Sequence, residues 1–274
     1  MNHIIKILLF TFILPVGLFS QGNLLVTPTR VSFEGNKTRE DLNISNIGKD
    51  TAVYVISFLK YRMNENGSFT ELDRNDQSIQ FADEYIRIFP RRVTLPPNES
   101  QTIRLQYRRP SDMKPGELRS HLYFRAEKET APLGMDEATN DSVKMSVRIT
   151  PIFGISIPVI VRHGDLLLNM NISDVNLNMN DVSTGTLSMF LNREGNRSAY
   201  GNIKVVFQPT HGKEVEIALA NGVGVYTEIA RRHFTFRIQL NEGVKLSNGK
   251  LIITYTTPFE DGNKLLARSE FNLE

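Results

Sequence analysis

The sequence predicts an all-β protein made of two consecutive β-sandwiches. Apolar residues recur with a period of two in many short runs, the pattern of half-buried strands rather than helices. Clusters of Gly, Pro, Asn and Asp separate these runs at intervals of about eight to twelve residues, as in sandwich folds. The chain has 274 residues, enough for two domains of common size.

The first element is predicted to lie outside both sandwiches. Residues 1–20 carry Lys6, then an apolar run from Ile7 to Val16, then turn-prone and small residues ending at Ser20. The run is shorter than the ~20 residues that a membrane helix needs, and the order basic–apolar–small is that of a secretory signal peptide. This predicts a mature protein exported from the cytoplasm.

Strand patterns then follow one another. Leu25 to Phe33 alternates, with Val31 and Phe33 on one face, and Gly35-Asn36 marks a turn. Leu42 and Ile44, then Val53 and Val55, keep the period of two on either side of Asn46-Ile47-Gly48-Lys49-Asp50. Ala52 to Tyr61 is β-branched and aromatic and ends at Asn64-Glu65-Asn66-Gly67. Tyr85 to Phe89, Thr102 to Tyr107 and His121 to Ala126 are further strands, bounded by Pro or Gly. Lys128 to Ser142 has no apolar period and holds Pro132, Gly134 and four acidic residues, which predicts a mobile loop.

The next segment is unusually long. Met145, Val147, Ile149, Pro151, Phe153, Ile155, Ile157, Val159 and Val161 form one apolar face. A single strand of this length would span ~55 Å at ~3.3 Å per residue, so part of it must leave the body of a sheet. His163-Gly164-Asp165 ends the segment, which sets the expected domains at 23–163 and 165–274. In the second domain Thr186 to Leu191, Ile203 to Phe207, Val215 to Ala218, His233 to Leu240 and Lys250 to Thr256 are the predicted strands.

Composition removes several functions. Apolar residues are 40% and charged residues 23%, which fits a folded rather than a disordered chain. Lys plus Arg is 32 against 30 Asp plus Glu, and this +2 balance argues against a nucleic-acid partner. With no cysteine, disulfides, thiol nucleophiles and Cys-ligated metals are excluded. His121, His163, His211 and His233 are scattered without metalloprotease spacing. Gly154-Ile155-Ser156-Ile157-Pro158 lacks the final glycine of a nucleophile elbow, and Gly222-Val223-Gly224 lacks the third glycine of a dinucleotide loop. The sequence therefore predicts a non-enzyme with no catalytic residue, cofactor or metal.

Three stretches stand out: Thr27-Pro28-Thr29-Arg30-Val31-Ser32-Phe33-Glu34-Gly35, then Leu95-Pro96-Pro97-Asn98-Glu99-Ser100-Gln101-Thr102-Ile103-Arg104, and Ser120-His121-Leu122-Tyr123-Phe124 before the long strand. In this order they resemble the PapD-like periplasmic chaperones of chaperone–usher pilus assembly. Asn98 stands where the family has glycine, and asparagine tolerates the left-handed turn conformation. The resemblance covers residues 24–161 and implies two immunoglobulin-like sandwiches in a boomerang. It implies a donor strand that completes the sandwich of a pilus or fimbrial subunit, with Met145, Val147 and Ile149 as the inserted side chains. It also implies Arg30 as the anchor of the subunit's terminal carboxylate, an outer-membrane usher as a second partner, and a monomer or weak self-capping dimer when free.

The sequence departs from the family at two further places. The second anchoring residue, a lysine in the family, aligns with Gly154, and Arg148 is the candidate substitute. The hinge glutamate–arginine bridge aligns with Arg119 and Pro158, which cannot form it in the usual way.

Burying three apolar donor side chains is worth about 1.5–3 kcal/mol each, so about 5–9 together. A charged hydrogen bond from Arg30 adds about 1.5–3 kcal/mol. The strand would thus supply most of the affinity and Arg30 the register, because a slip of one residue turns every side chain to the wrong face. The alternative is a cell-surface structural or adhesive protein that binds through its loops.

Overall fold

A computed structural model describes residues 23–73, 75–76, 78–127, 153–241 and 243–273. The predicted signal segment, the predicted loop and the part of the long strand that carries Met145, Val147, Arg148 and Ile149 lie outside the described residues.

The first sandwich begins with β1 (Leu24–Thr27), β2 (Val31–Phe33), β3 (Arg39–Asn46) and β4 (Ala52–Leu59). A small hairpin, β5 (Tyr61–Met63) with β6 (Phe69–Glu71), projects from it. β7 (Ile86–Phe89), β8 (Arg92–Leu95), β9 (Ser100–Tyr107), β10 (Gly116–Glu127) and β11 (Gly154–His163) complete it. One sheet has the order β1-β3-β9-β7 and the other β2-β11-β10-β4-β8, the arrangement of an immunoglobulin-like sandwich. Their inner faces bury Phe33, Leu42, Ile44, Ile56, Ile103, Leu105, Leu122, Phe124, Val159 and Val161.

Leu25 to Phe33 is not one strand. β1 pairs antiparallel with β3 in the first sheet, whereas β2 pairs parallel with β11 in the second. The chain changes sheets at Pro28, and β7 passes to β8 in the same way at Pro90. Proline has no N–H to give to a ladder, so pairing stops there and can resume on the other side. Both prolines follow cis peptide bonds.

β4 also corrects the predicted phase. Its buried residues are Tyr54 and Ile56, while Val53 and Val55 are only half-buried. The strand is apolar on both faces, so alternation alone could not say which face points inward. Asn98 does take the left-handed conformation, with φ 61°, and its N–H donates to the Asn46 carbonyl at 2.8 Å.

The second sandwich contains β12 (Leu168–Met179), β13 (Thr184–Gly195), β14 (Ala199–Pro209), β15 (Val215–Val225), β16 (Arg231–Gln239), β17 (Gly249–Thr256) and β18 (Leu265–Leu273). Its sheets have the orders β12-β13-β16 and β15-β14-β17-β18, packed around Leu187, Met189, Leu191, Ile203, Val205, Leu251, Ile253 and Tyr255. β12 and β18 were not among the predicted strands. β12 reads as a turn-rich segment because of its asparagines, and its pairing with β13 breaks between Ser173 and Asn176, where Asp174 has φ 51°.

The two cores are separate, and a third small cluster joins them. Met63 of the hairpin and Ile160 of β11 pack against Tyr226, with Ile229 beside them.

Candidate functional site

The parallel register of β2 on β11 places Val31 opposite Val159, and so brings Arg30 alongside Pro158. From there the Arg30 side chain reaches the second sandwich. Its guanidinium lies 4.1 Å from the centre of the Tyr200 ring, and Nη1 donates to the Tyr226 hydroxyl at 3.4 Å. Nη2 is buried and has no hydrogen-bond partner among the described residues. A buried guanidinium N–H left unpaired is costly.

The space beside Arg30 is a cleft of about 560 Å³ between the sandwiches. Thr29, Ser156 and Pro158 line one side, Tyr200, Gly222 and Tyr226 the other, and Tyr61, Phe69 and His121 also face it. The rings of Tyr61 and Phe69 meet His121 edge-on at 5.0 and 5.3 Å between centroids. Burial, and then the charges of Arg119 and Arg30, push the His121 imidazole down to about 3. It is therefore neutral at physiological pH.

β11 forms the edge of the cleft. It pairs with β10 along its whole length, but with β2 only over Val159–Val161. Among the described residues, Gly154–Pro158 is thus paired on one side only, and Gly154 and Ser156 are exposed. Phe153, which continues the ladder by accepting from the Ala126 N–H at 3.1 Å, is 52% exposed.

Arg119 and Glu228 tie the joint behind the cleft. Their side chains form an ion pair and are 5% and 8% exposed. Glu228 also accepts the Met63 N–H at 3.0 Å, and Arg119 donates to the Tyr61 carbonyl at 3.0 Å. The Arg119 guanidinium stacks 4.0 Å from the Tyr226 ring centre, which holds that ring under Arg30. A second buried carboxylate, Glu117, accepts from Arg162 Nε at 2.9 Å and from the Ser198 N–H at 3.3 Å. The hairpin tip adds another link, since the His233 N–H donates to the Glu65 carbonyl at 2.6 Å and Arg231 pairs with the Glu65 carboxylate at 3.2 Å.

Of the residues that the sequence singled out, Arg30 sits in the cleft and Gly154 at the open end of β11. Gly154 has no room for a side chain, because a Cβ there would meet the Tyr123 ring at 2.3 Å. A lysine would require that ring to swing away. Arg119 does form a joint-spanning ion pair, but with Glu228 of the second sandwich rather than at the Pro158 position. Tyr200, Tyr226 and Glu228 escaped the sequence reading because no spacing or motif marks them.

No family model and no curated protein matches the sequence. Among solved structures, the chain is similar to several pilus chaperones. A structure of the CsuC–CsuE chaperone–tip adhesion subunit pre-assembly complex from archaic Csu pili of Acinetobacter baumannii matches at 14% identity and TM-score 0.46, over 91% of this chain and 98% of that one. The E. coli chaperone DraB matches at 13% identity and TM-score 0.43, over 92% and 96%. A Salmonella enterica structure of SafA pilin with the SafB chaperone matches at 12% identity and TM-score 0.42, over 93% and 98%.

Proposed function

We propose that the protein is a periplasmic chaperone for pilus or related secreted subunits, lending its long strand to a subunit with an incomplete sandwich. The observation that carries this reading is the half-open β11. Among the described residues, its first five are paired with β10 alone and run along a cleft that holds Arg30 with an unpaired guanidinium N–H. An open strand edge is a template for a further strand, and it is normally blunted or covered when it has no partner. The sequence just before this edge continues the alternation through Met145, Val147 and Ile149, which we assign as the donor side chains, with Arg30 as the carboxylate anchor.

On this reading the signal segment delivers the chain to the periplasm, where it acts as a binding protein and not an enzyme. Its partners are subunits and an outer-membrane usher, and it stands alone as a monomer or weak self-capping dimer. The near-neutral charge supports the absence of a nucleic-acid partner.

The test is affinity capture of the tagged mature protein from its native periplasm beside Val147→Asp, with partners identified by mass spectrometry. Small secreted β-rich subunits should accompany the wild type and disappear with the variant, whose thermal stability should be unchanged. Equal capture by both proteins, or fractionation of the protein with the cell surface, would favour the adhesive alternative.

A further inference from the structure

Arg30 Nη1 already donates to Tyr226, so a carboxylate reaching Nη2 alone lacks the paired grip that a whole guanidinium gives, and the position where a second cation was expected is Gly154, which has no side chain. The second sandwich supplies a different donor, beside Arg30 itself. The Tyr226 hydroxyl accepts from Arg30 Nη1, and among the described residues this is its one hydrogen bond. A phenol that accepts through its oxygen still has its own O–H proton to give. Tyr226 is 5% exposed, and its ring is fixed from behind by the Arg119 guanidinium at 4.0 Å and by Phe69, centroid to centroid, at 6.1 Å. Arg30 in turn lies over the Tyr200 ring, 4.1 Å from its centre. One unspent O–H and one unspent N–H thus flank the same cleft.

We propose that Tyr226 is the second donor to the client's terminal carboxylate, in place of a lysine, and that Tyr200 is the platform that sets the plane of Arg30. This rests on the cleft being a carboxylate anchor, and deepens that reading. The grip then combines one charged donor with one neutral donor, each contributed by a different sandwich. A carboxylate is gripped only when the two sandwiches hold their relative position.

The test uses a heptapeptide of alternating threonine and valine, made with a free C-terminal carboxylate and as the C-terminal amide. Wild-type protein should prefer the carboxylate form. Tyr226→Phe keeps the ring against Arg119 but removes the O–H, and should cut that preference about tenfold; the preference is read as the ratio of the two affinities, so the small stability loss from removing the acceptor of Arg30 Nη1 acts on both peptides alike. Tyr200→Leu should lose carboxylate preference, and Tyr200→Phe, the conservative variant that keeps the ring, should restore it. If Tyr226→Phe retains the full preference, the inference is overturned. If the wild type binds neither peptide, or both equally, the anchor reading itself fails. Should Tyr226→Phe not fold, NMR of the wild type decides, because the Tyr226 ring signals should shift with the carboxylate peptide and not with the amide. Signals that stay still would overturn the inference by a second route.

Discussion

Arg119 and Glu228, 109 residues apart in the chain, meet as a buried ion pair across the joint between the sandwiches. The pair also fixes its surroundings, since Glu228 caps a hairpin N–H and Arg119 underlies Tyr226. A buried pair need not add net stability over apolar residues of similar shape, but breaking one leaves an uncompensated charge.

Glu228→Gln should therefore destabilise the protein by about 3 kcal/mol in urea unfolding. Joint replacement of Arg119 and Glu228 by Met and Leu should cost less than Glu228→Gln alone. A loss under about 1 kcal/mol for Glu228→Gln would show that water already screens the pair.

His121 gives a pH signature. Its folded value, about 3, lies below the ordinary 6.5, so between these values the unfolded chain binds the extra proton. Stability is fully present above the ordinary value and falls as pH drops through this window, by at most about 1.4 kcal/mol per pH unit from this group. His121→Gln should show a flatter decline between pH 6 and 4. Identical slopes in the two proteins would mean that His121 is not the group responsible.

Gly154→Lys places the first carbon of a side chain where the Tyr123 ring now lies. Overpacking of this kind costs about 1–3 kcal/mol, and Tyr123→Ala in the same chain should recover part of the loss. Thermal melts of the single and double variants check this, and an unperturbed Gly154→Lys would mean that the ring moves freely.

Arg30→Ala should weaken client binding less than Val147→Asp, because one charged hydrogen bond is worth less than three buried apolar side chains. Affinities for a purified client give the order. The reverse order would make the carboxylate grip dominant.

Alternation made most strands legible, because a half-buried strand writes its inner face into every second residue. Leu42, Ile44, Ile103 and Leu105 are such cases, all fully buried. It failed where both faces are apolar, as at Val53 and Val55, and where asparagines mask a strand, as in β12. The flanking motif singled out Arg30, which lines the cleft. Nothing marked Tyr226, because it meets Arg30 across 196 residues and only when the two sandwiches come together.

The hairpin β5–β6 has a mechanical consequence. Two bodies joined by one short linker can swing, and a second contact still leaves an axis of rotation through both. Here the linker after His163, the Arg119–Glu228 pair and the hairpin tip on Arg231 and His233 supply three separated attachments. Three separated attachments oppose swinging about any one of them. On the proposed function, the cleft would then meet a guest at a width set by the fold rather than by closure of the joint.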